Sequence, residues 1–462
     1  MAIKKGDIIE LKISDIAFGG KGLTRVNGLA VFVDQSVPSD YVKVRIIKKK
    51  KNYAEARILE IIEPSPLRTD PPCKYSNYCG GCKWQFLDYD KQVEYKQQHV
   101  SESIEHIGVI ENVPVHPTIP SELIFGYRNK MEFSCSDKRW LLPDEMGRED
   151  IDTDFALGLH VPGTFHKVLD TDACLLHPDL GNHILEDIRK FIKHSRVPVY
   201  GLRSHVGFWR FVMLRHSVAY DQWMVNIITA SEDRDTVQPL ADLLMEKYPG
   251  VVSVINNITS RKAGIAIGEY EILLAGESVL KDKIGPFEFE ISANSFFQTN
   301  TRGAERLYET VKNYAGLTSG ETVVDLYSGT GTIALYLSGL AKKVIGMEII
   351  ESAVADAENN CRVNSVSNCQ FIRGDIKNCL SQLTITPEVM IIDPPRVGMH
   401  KNVVKQVMEM APERIVYVSC NPSTLARDMG MMKEDYDILE VQPVDMFPHT
   451  YHIESVAKLQ KK

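Results

Sequence analysis

The sequence predicts a multidomain chain in three parts: a small all-β, OB-like barrel, an α+β central region with a cysteine cluster, and a C-terminal α/β doubly wound, Rossmann-like domain. Three observations predict it. At 462 residues the chain exceeds what one ordinary core holds. Residues 4–63 break into short β-rich runs between turn signals. From about residue 291 onward, strand and helix patterns alternate strictly.

In the first part the runs are I-I-E-L-K-I, L-A-V-F-V, Y-V-K-V-R-I-I and A-R-I-L-E-I-I, punctuated by Gly19-Gly20, Asn27-Gly28 and Val37-Pro38-Ser39. About five strands in so short a stretch suggest a closed barrel, a frequent platform for single-stranded nucleic acid. Pro64-Ser65-Pro66 reads as a linker, followed by a cysteine-rich loop at 71–84 and a polar helix from Asp88 to about His106. Central strands are expected near 131–135, 156–160, 210–215 and 223–229. The doubly wound part has strand candidates at 322–327, 343–348, 370–374, 389–393, 414–420, 437–442 and 452–459, with ligands expected at the carboxyl ends. The expected domains are residues 1–66, 67–290 and 291–462.

With 44% hydrophobic and 25% charged residues, the composition is that of a soluble globular protein. The start, M-A-I-K-K-G-D-I-I-E, has no apolar stretch that would serve as a signal sequence, and no apolar run reaches the length of a membrane span. Cytoplasmic residence, no membrane and no obligate protein partner are therefore expected. The nine cysteines then read as reduced thiols, metal ligands or nucleophiles rather than disulfides. Net charge is −8, yet residues 1–63 carry 12 Lys and Arg against 8 Asp and Glu, so the barrel is the basic part. Its densest run, Lys48-Lys49-Lys50-Lys51, would by itself be a solvated hairpin tip.

Chemistry concentrates in the last third. V-V-D-L-Y-S-G-T-G-T-I-A-L (323–335) reads as strand, tight turn and helix, with Gly329 and Gly331 permitting close backbone approach and Asp325 lying before the turn. Glu348 closes the next strand, where a ribose hydroxyl pair would fall, and Asp375 closes the third, where adenine would fall. NAD and S-adenosylmethionine (SAM) both fit this loop. Asp393-Pro394-Pro395-Arg396 must leave the sheet, since two prolines cannot continue a ladder. Asp393 and Arg396 therefore stand over the crevice, and Asp-Pro-Pro at a fourth strand favours SAM over NAD. Cys420 ends the run R-I-V-Y-V-S-C. Buried cysteines are commonly inert, but this one lies at the ligand edge, and Asn421-Pro422 opens a helix whose N-terminus is expected to lower its pKa. In M-F-P-H-T-Y-H-I-E-S-V (446–456), Glu454 sits among His449, His452 and apolar residues, which favours a partly buried group with a raised pKa, suitable as a base.

The set S-F-F-Q-T-N (295–300), the glycine loop, D-P-P-R, V-S-C-N-P-S-T-L-A-R-D and F-P-H-T-Y-H-I-E resembles the SAM-dependent RNA uracil-C5 methyltransferase family, and the basic β region resembles the TRAM domain often fused ahead of it. By that resemblance Cys420 matches the nucleophile and Glu454 the base, while Gln298, Tyr327, Glu348 and Asp393 match SAM-site positions, with Asp375 an addition. The glycine loop reads S-G-T-G-T where relatives often carry Cys and Asn, so no side-chain contact is assigned to Ser328 or Thr332. The chemistry agrees: uracil C5 becomes nucleophilic once a thiolate adds at C6, and a base must then remove the C5 proton. A uracil in folded RNA must also be flipped out.

Cys73, Cys79 and Cys82 form a second cluster, with Cys174 of D-T-D-A-C-L-L-H-P as the expected fourth ligand. The resemblance implies a [4Fe–4S] cluster, and four-cysteine zinc is the alternative. The spacing is not that of a radical-SAM site. Cys135, Cys361, Cys369 and Cys379 receive no role. Within the family, the basic β domain and the cysteine cluster resemble the 23S ribosomal RNA branch more than the tRNA branch, so 23S rRNA is the expected partner. Rival readings are a tRNA uracil-C5 methyltransferase, an amino-group methyltransferase that uses Asp-Pro-Pro without a thiol, and a non-catalytic RNA-binding protein.

Overall fold

The computed structural model describes residues 3–262 and 264–462. The N-terminal sheet contains β1 (Ile8–Lys12), β2 (Asp15–Ile16), β3 (Gly22–Val26), β4 (Leu29–Asp34), β5 (Tyr41–Lys49) and β6 (Tyr53–Glu63), in the order β1-β5-β6-β4-β3-β2. The two outermost strands, β1 and β2, are neighbours in sequence, so the sheet curls back on itself into a barrel and has little free edge. Alternation fills it: Val31, Val33, Val42, Val44 and Ile46 point inward and are buried, while Lys43 and Arg45 lie between them on the outer face. Two strands, D-I and G-L-T-R-V, were too short or too polar to read as such from sequence. In the basic run, Lys48 pairs with Glu55 across the β5–β6 hairpin.

The expected linker is docked rather than loose. Asp40, fully buried, accepts from the Ser65 backbone N–H at 2.9 Å and from the Arg68 guanidinium at 2.7 Å, which fixes the chain as it leaves the barrel. Helix α1 (Tyr89–His106) follows, capped by the Asp88 carboxylate. It buries polar residues, Gln92, Lys96 and His99, because they bond to the barrel and to the C-terminal chain.

The central sheet comprises β7 (Lys130–Ser136), β8 (Ala156–Gly158), β9 (Trp209–Ser217), β10 (Gln222–Thr229), β11 (Val251–Ile258) and β12 (Tyr270–Gly276), in the order β12-β11-β10-β9-β7-β8. Helices α2 (Asp179–Ser195) and α3 (Arg234–Lys247) pack on it. Only β10–β11 is parallel among these pairings, and α3 supplies the crossover that a parallel pair needs.

A hairpin, β13 (Leu280–Ile284) and β14 (Phe287–Ile291), leads to α4 (Thr301–Ala315) and the C-terminal sheet. That sheet is built from β15 (Thr322–Leu326), α5 (Thr332–Ser338), β16 (Lys343–Glu348), α6 (Glu351–Val363), β17 (Cys369–Arg373), α7 (Ile376–Gln382), β18 (Val389–Ile392), α8 (Lys401–Met410), β19 (Arg414–Ser419), α9 (Pro422–Met432), β20 (Tyr436–Val444) and β21 (Glu454–Lys461). The order is β17-β16-β15-β18-β19-β21-β20, with β21 antiparallel to both its neighbours. Chain order reverses between β15 and β18, which opens a crevice at their carboxyl ends. Strand β18, V-M-I-I, is buried throughout because helices cover both faces. Val100 and Ile104 of α1 belong to this core, and Val115 and Ile119 bridge to Val441 and Val444 of β20. The segment 89–119 therefore packs with the C-terminal sheet, although in sequence it lies in the central region.

Candidate active site

The crevice is formed where five parallel strands end. Beyond β15, Tyr327 takes a left-handed backbone (φ 63°), Gly329 and Gly331 do the same (φ 53° and 75°), and α5 starts at Thr332. A β-carbon on Gly331 would lie 2.8 Å from Phe371 and 2.9 Å from Ala357, so this turn requires glycine for space as well as for φ. Glu348, buried at the end of β16, accepts from the N–H of Gly329 at 3.1 Å and from Ile349 and Ile350 at 2.8 Å each, which ties the second strand to the glycine turn.

Asp325 was noted in the sequence but given no role. It is 1% exposed and neither carboxylate oxygen has a hydrogen-bond partner. Burial, then the charges of Asp393 and Glu348, hold its carboxyl well above the usual carboxylate range. A lone buried carboxylate beside a nucleotide-type turn calls for a cationic ligand group, and the ammonium of an amino-acid moiety meets that need. The detectable signal was a charged residue inside the apolar run V-V-D-L. Gln298 reaches the Tyr308 hydroxyl, which also bonds Thr332 and interacts with Asp325 and Asp393, so Gln298 lies on the same crevice. The Thr332 hydroxyl is thereby used within the fold, whereas buried Ser328 Oγ has no partner. Tyr327 is half-buried, its phenol pushed up to about 12 by burial and by Asp428 and Asp375. Asp375 is exposed and caps α7 through the Lys377 N–H at 3.0 Å, which accounts for one of its oxygens by local structure alone.

The order of strands brings the second set together. In the antiparallel register of β19 and β21, Ser419 pairs with Ser455, so the next pair, on the ligand side, is Cys420 and Glu454. Opposed residues of an antiparallel pair share a face. Cys420 is half-buried, and its thiol is pushed up to about 11, by burial first and then by Glu454 and Asp393, with Arg396 pulling the other way. The sequence-based expectation that the N-terminus of α9 lowers this thiol is thus overturned: desolvation and two nearby carboxyls outweigh the helix end. Glu454, 8% exposed, is held well above its ordinary value by burial and Asp393, again opposed by Arg396. Burial alone raises Asp393 to about 7. Arg396, seen in the tetrapeptide but assigned no function, is the cation facing both groups.

The four cysteines of the second cluster line one cavity of about 330 Å³, with Arg128, Lys130, Glu132 and Thr299 among its other walls. Burial pushes the Cys79 and Cys82 thiols up to about 12, and Arg128 works against this. Cys79 Sγ accepts from the Gly81 N–H at 3.3 Å and Cys82 Sγ from Gln85 at 3.2 Å. Among the described residues no three His, Cys, Asp or Glu side chains stand close enough to hold a single metal ion. The donor set suits a soft, thiolate-bound group. All nine cysteines are unpaired, and no described helix is long and apolar enough to cross a membrane.

Comparison with known proteins agrees with this architecture. The family model for tRNA (uracil-5-)-methyltransferases matches residues 260–462, and that for the TRAM domain matches residues 3–59. An uncharacterized RNA methyltransferase of Chlorobaculum tepidum is 43% identical, over 99% of this chain and 97% of its own. One from Porphyromonas gingivalis is 39% identical, over 97% of this chain and 99% of its own. Among solved structures, the Pyrococcus abyssi tRNA (uracil-54, C5)-methyltransferase in complex with S-adenosyl-L-homocysteine matches with a TM-score of 0.77 and 29% identity, over 98% of this chain and all of its own.

Proposed function

The chain belongs to the RNA (uracil-5-)-methyltransferase family, as a SAM-dependent enzyme with an N-terminal TRAM domain, and from that premise we propose that it methylates C5 of a specific uridine in 23S ribosomal RNA through a covalent adduct with Cys420. The observation that carries the mechanism is the β19–β21 register, which sets a thiol and a carboxyl side by side at the edge of the cofactor crevice. SAM supplies an electrophilic methyl group. Gln298, Tyr327, Glu348 and Asp393 would hold it, with Asp375 at the crevice rim, and the buried Asp325 carboxylate would suit its ammonium.

The thiolate of Cys420 forms a bond to C6 of an extruded uracil, and the C5–C6 electron pair moves into an enolate with carbanion character at C5. Arg396 favours the thiolate. Once C5 has taken the methyl group, the S–CH3 bonding pair staying on the sulfur of the departing S-adenosylhomocysteine, Glu454 takes the C5 proton, the C5–C6 double bond reforms, and the C6–S bond breaks with its electrons returning to the Cys420 sulfur. The raised pKa of Glu454 makes its carboxylate a stronger base. The working division of the chain is residues 1–66 for RNA capture, 67–290 for recognition and 291–462 for catalysis, with 89–119 assigned to the catalytic body by its packing.

A tRNA substrate is the second reading. It is supported by the likeness to the Pyrococcus abyssi enzyme, which spans 98% of this chain, so that neither the barrel nor the region carrying the cysteines is by itself a mark of the rRNA branch. Incubation with SAM and 5-fluorouracil-substituted rRNA or tRNA fragments decides between them. Fluorine cannot leave as a proton does, so a Cys420-dependent complex accumulates on the true substrate. Absence of an adduct with either RNA overturns the mechanism, and a Cys420→Ala enzyme with full activity points to amino-group methylation.

Cys73, Cys79, Cys82 and Cys174 are proposed to hold a [4Fe–4S] cluster. Their shared cavity of about 330 Å³ supports a group bulkier than a zinc ion, while the N–H groups aimed at two of the sulfurs and the Arg128 cation favour the thiolate form that either group needs. Anaerobically purified protein is expected to be brown with broad visible absorbance, whereas a zinc protein is colourless.

A further inference from the structure

Four consecutive carbonyls just ahead of Glu454 are each held by a donor from a different part of the chain. Asn300 Nδ2 donates to the Met446 carbonyl at 3.0 Å, Lys96 Nζ to that of Phe447 at 3.0 Å, and the Tyr127 hydroxyl to that of Pro448 at 3.2 Å. The backbone N–H groups of Lys83 and Trp84, which directly follow Cys82, donate to the His449 carbonyl at 2.8 and 3.0 Å. At the head of the segment Asp445, 1% exposed, accepts from Lys96 Nζ at 2.6 Å, from the Tyr89 hydroxyl at 3.0 Å and from the Phe447 N–H at 2.9 Å. At its other end the His449 N–H donates to Gln92 Oε1 at 2.8 Å, and His449 is in the left-handed region with φ 63°.

A loop normally leaves its carbonyls to water. Here residues from α1, from the cysteine loop, from the segment ahead of β7 and from the loop ahead of α4 converge on one short irregular stretch. They hold a histidine in a backbone conformation that costs free energy. Such an arrangement fixes position, and what it precedes is His452 and Glu454. We infer that residues 446–449 are a positioning loop for Glu454, and that Lys96 and Asn300 are positioning residues for the proton-removal step. The inference rests on Glu454 being the base. In that step the base takes the C5 proton, the C–H electron pair becomes the C5–C6 double bond, and the C6–S bond breaks to release the Cys420 thiolate. The earlier addition of Cys420 to C6 does not use Glu454. A loosened loop should therefore stall release and leave addition intact.

The test uses full-length enzyme, SAM and unsubstituted substrate RNA, with covalent RNA–protein complexes read on denaturing gels. Glu454→Gln is the reference, expected to trap the adduct. Lys96→Met removes the one donor to Phe447 that comes from α1, leaving the local Thr450 N–H and hydroxyl, and with it the ammonium that pairs with Asp445. Asn300→Asp keeps the oxygen that caps the Gly303 N–H at 3.0 Å while turning the donor to Met446 into an acceptor, which guards against Lys96→Met failing to fold. Each variant is expected to turn over on the order of 10- to 100-fold more slowly and to accumulate adduct as Glu454→Gln does. If Glu454→Gln traps adduct but folded Lys96→Met and Asn300→Asp either turn over normally or lose addition and turnover together, the positioning role is wrong. If Glu454→Gln traps none, the reading of Glu454 as base fails first, and the positioning role falls with it.

Discussion

Asp325 combines near-complete burial with two unsatisfied oxygens, and its electrostatics make a signed prediction. Its folded-state pKa is raised, so the protonated form is favoured in the native protein. The ligand-free enzyme therefore loses stability as pH climbs from the ordinary carboxylate value toward the raised one. Asp325→Asn removes that cost. It is expected to stabilise ligand-free protein at pH 7 by about 1–3 kcal/mol, seen as a higher Tm, while weakening SAM binding measured calorimetrically. Arg396 acts in the opposite sense on Cys420, whose thiol stands at about 11 in the resting enzyme. Below that value the thiolate fraction grows about tenfold per pH unit, so adduct formation should rise with pH. Arg396→Gln should raise the thiol pKa further, slow adduct formation at pH 7.5 and recover part of the loss at higher pH. An unshifted pH profile would remove Arg396 from the activation of the thiol.

Two elements decide the site. The turn between β15 and α5 is the tighter constraint: Gly331 has φ 75° and no room for a methyl group against Phe371 and Ala357. Gly331→Ala combines a left-handed conformation for a residue with a β-carbon, costing about 1–2 kcal/mol, with a clash. A lower Tm and a loss of SAM affinity are expected from thermal melts and calorimetry. A neutral result would mean that the turn relaxes away from Phe371. The β19–β21 pair is the second element. A slip of one residue would put Cys420 and Glu454 on opposite faces, and the burial of Val418 and Val456 in the core holds the register. Helix α9, by contrast, has less influence on the thiol than its sequence suggests, because a helix end is weak against desolvation and two carboxyl neighbours.

At the scale of the molecule, the barrel is fastened close to the chemistry. Trp84 Nε1 donates to the Gly20 carbonyl at 3.3 Å, and Phe18 packs edge-on against Tyr451, next to His452. The basic tip of the β5–β6 hairpin extends from this body. Lys48 is paired with Glu55, so Lys50 and Lys51, both exposed, are the residues left to meet phosphate. The double change Lys50→Ala and Lys51→Ala should weaken RNA binding and flatten the dependence of log K on log salt by about 1.4, two single-strand phosphate contacts, without changing SAM affinity. An unchanged salt slope would move the RNA path elsewhere on the barrel.

The alternation of strand and helix, the barrel, the cofactor turn and the candidate residues Cys420, Glu454, Glu348 and Asp393 were legible in the sequence, because each leaves a local signature: periodicity, a glycine turn, a proline exit or a charge at a strand end. The helix of segment 89–119 was legible too, but its docking was not. This polar helix looks solvent-facing until the Lys96–Asp445 pair, fully buried and spanning most of the chain, shows what it covers. Nor could spacing assign roles to Asp325, Arg396, Lys96 or Asn300, which come from what lies opposite them across the fold. By itself the sequence determined which side chains stand at strand ends and the reaction they suit. Only the tertiary structure decided their electrostatics and who holds them, because burial and partners from distant segments set pKa and position, and neither has a sequence period.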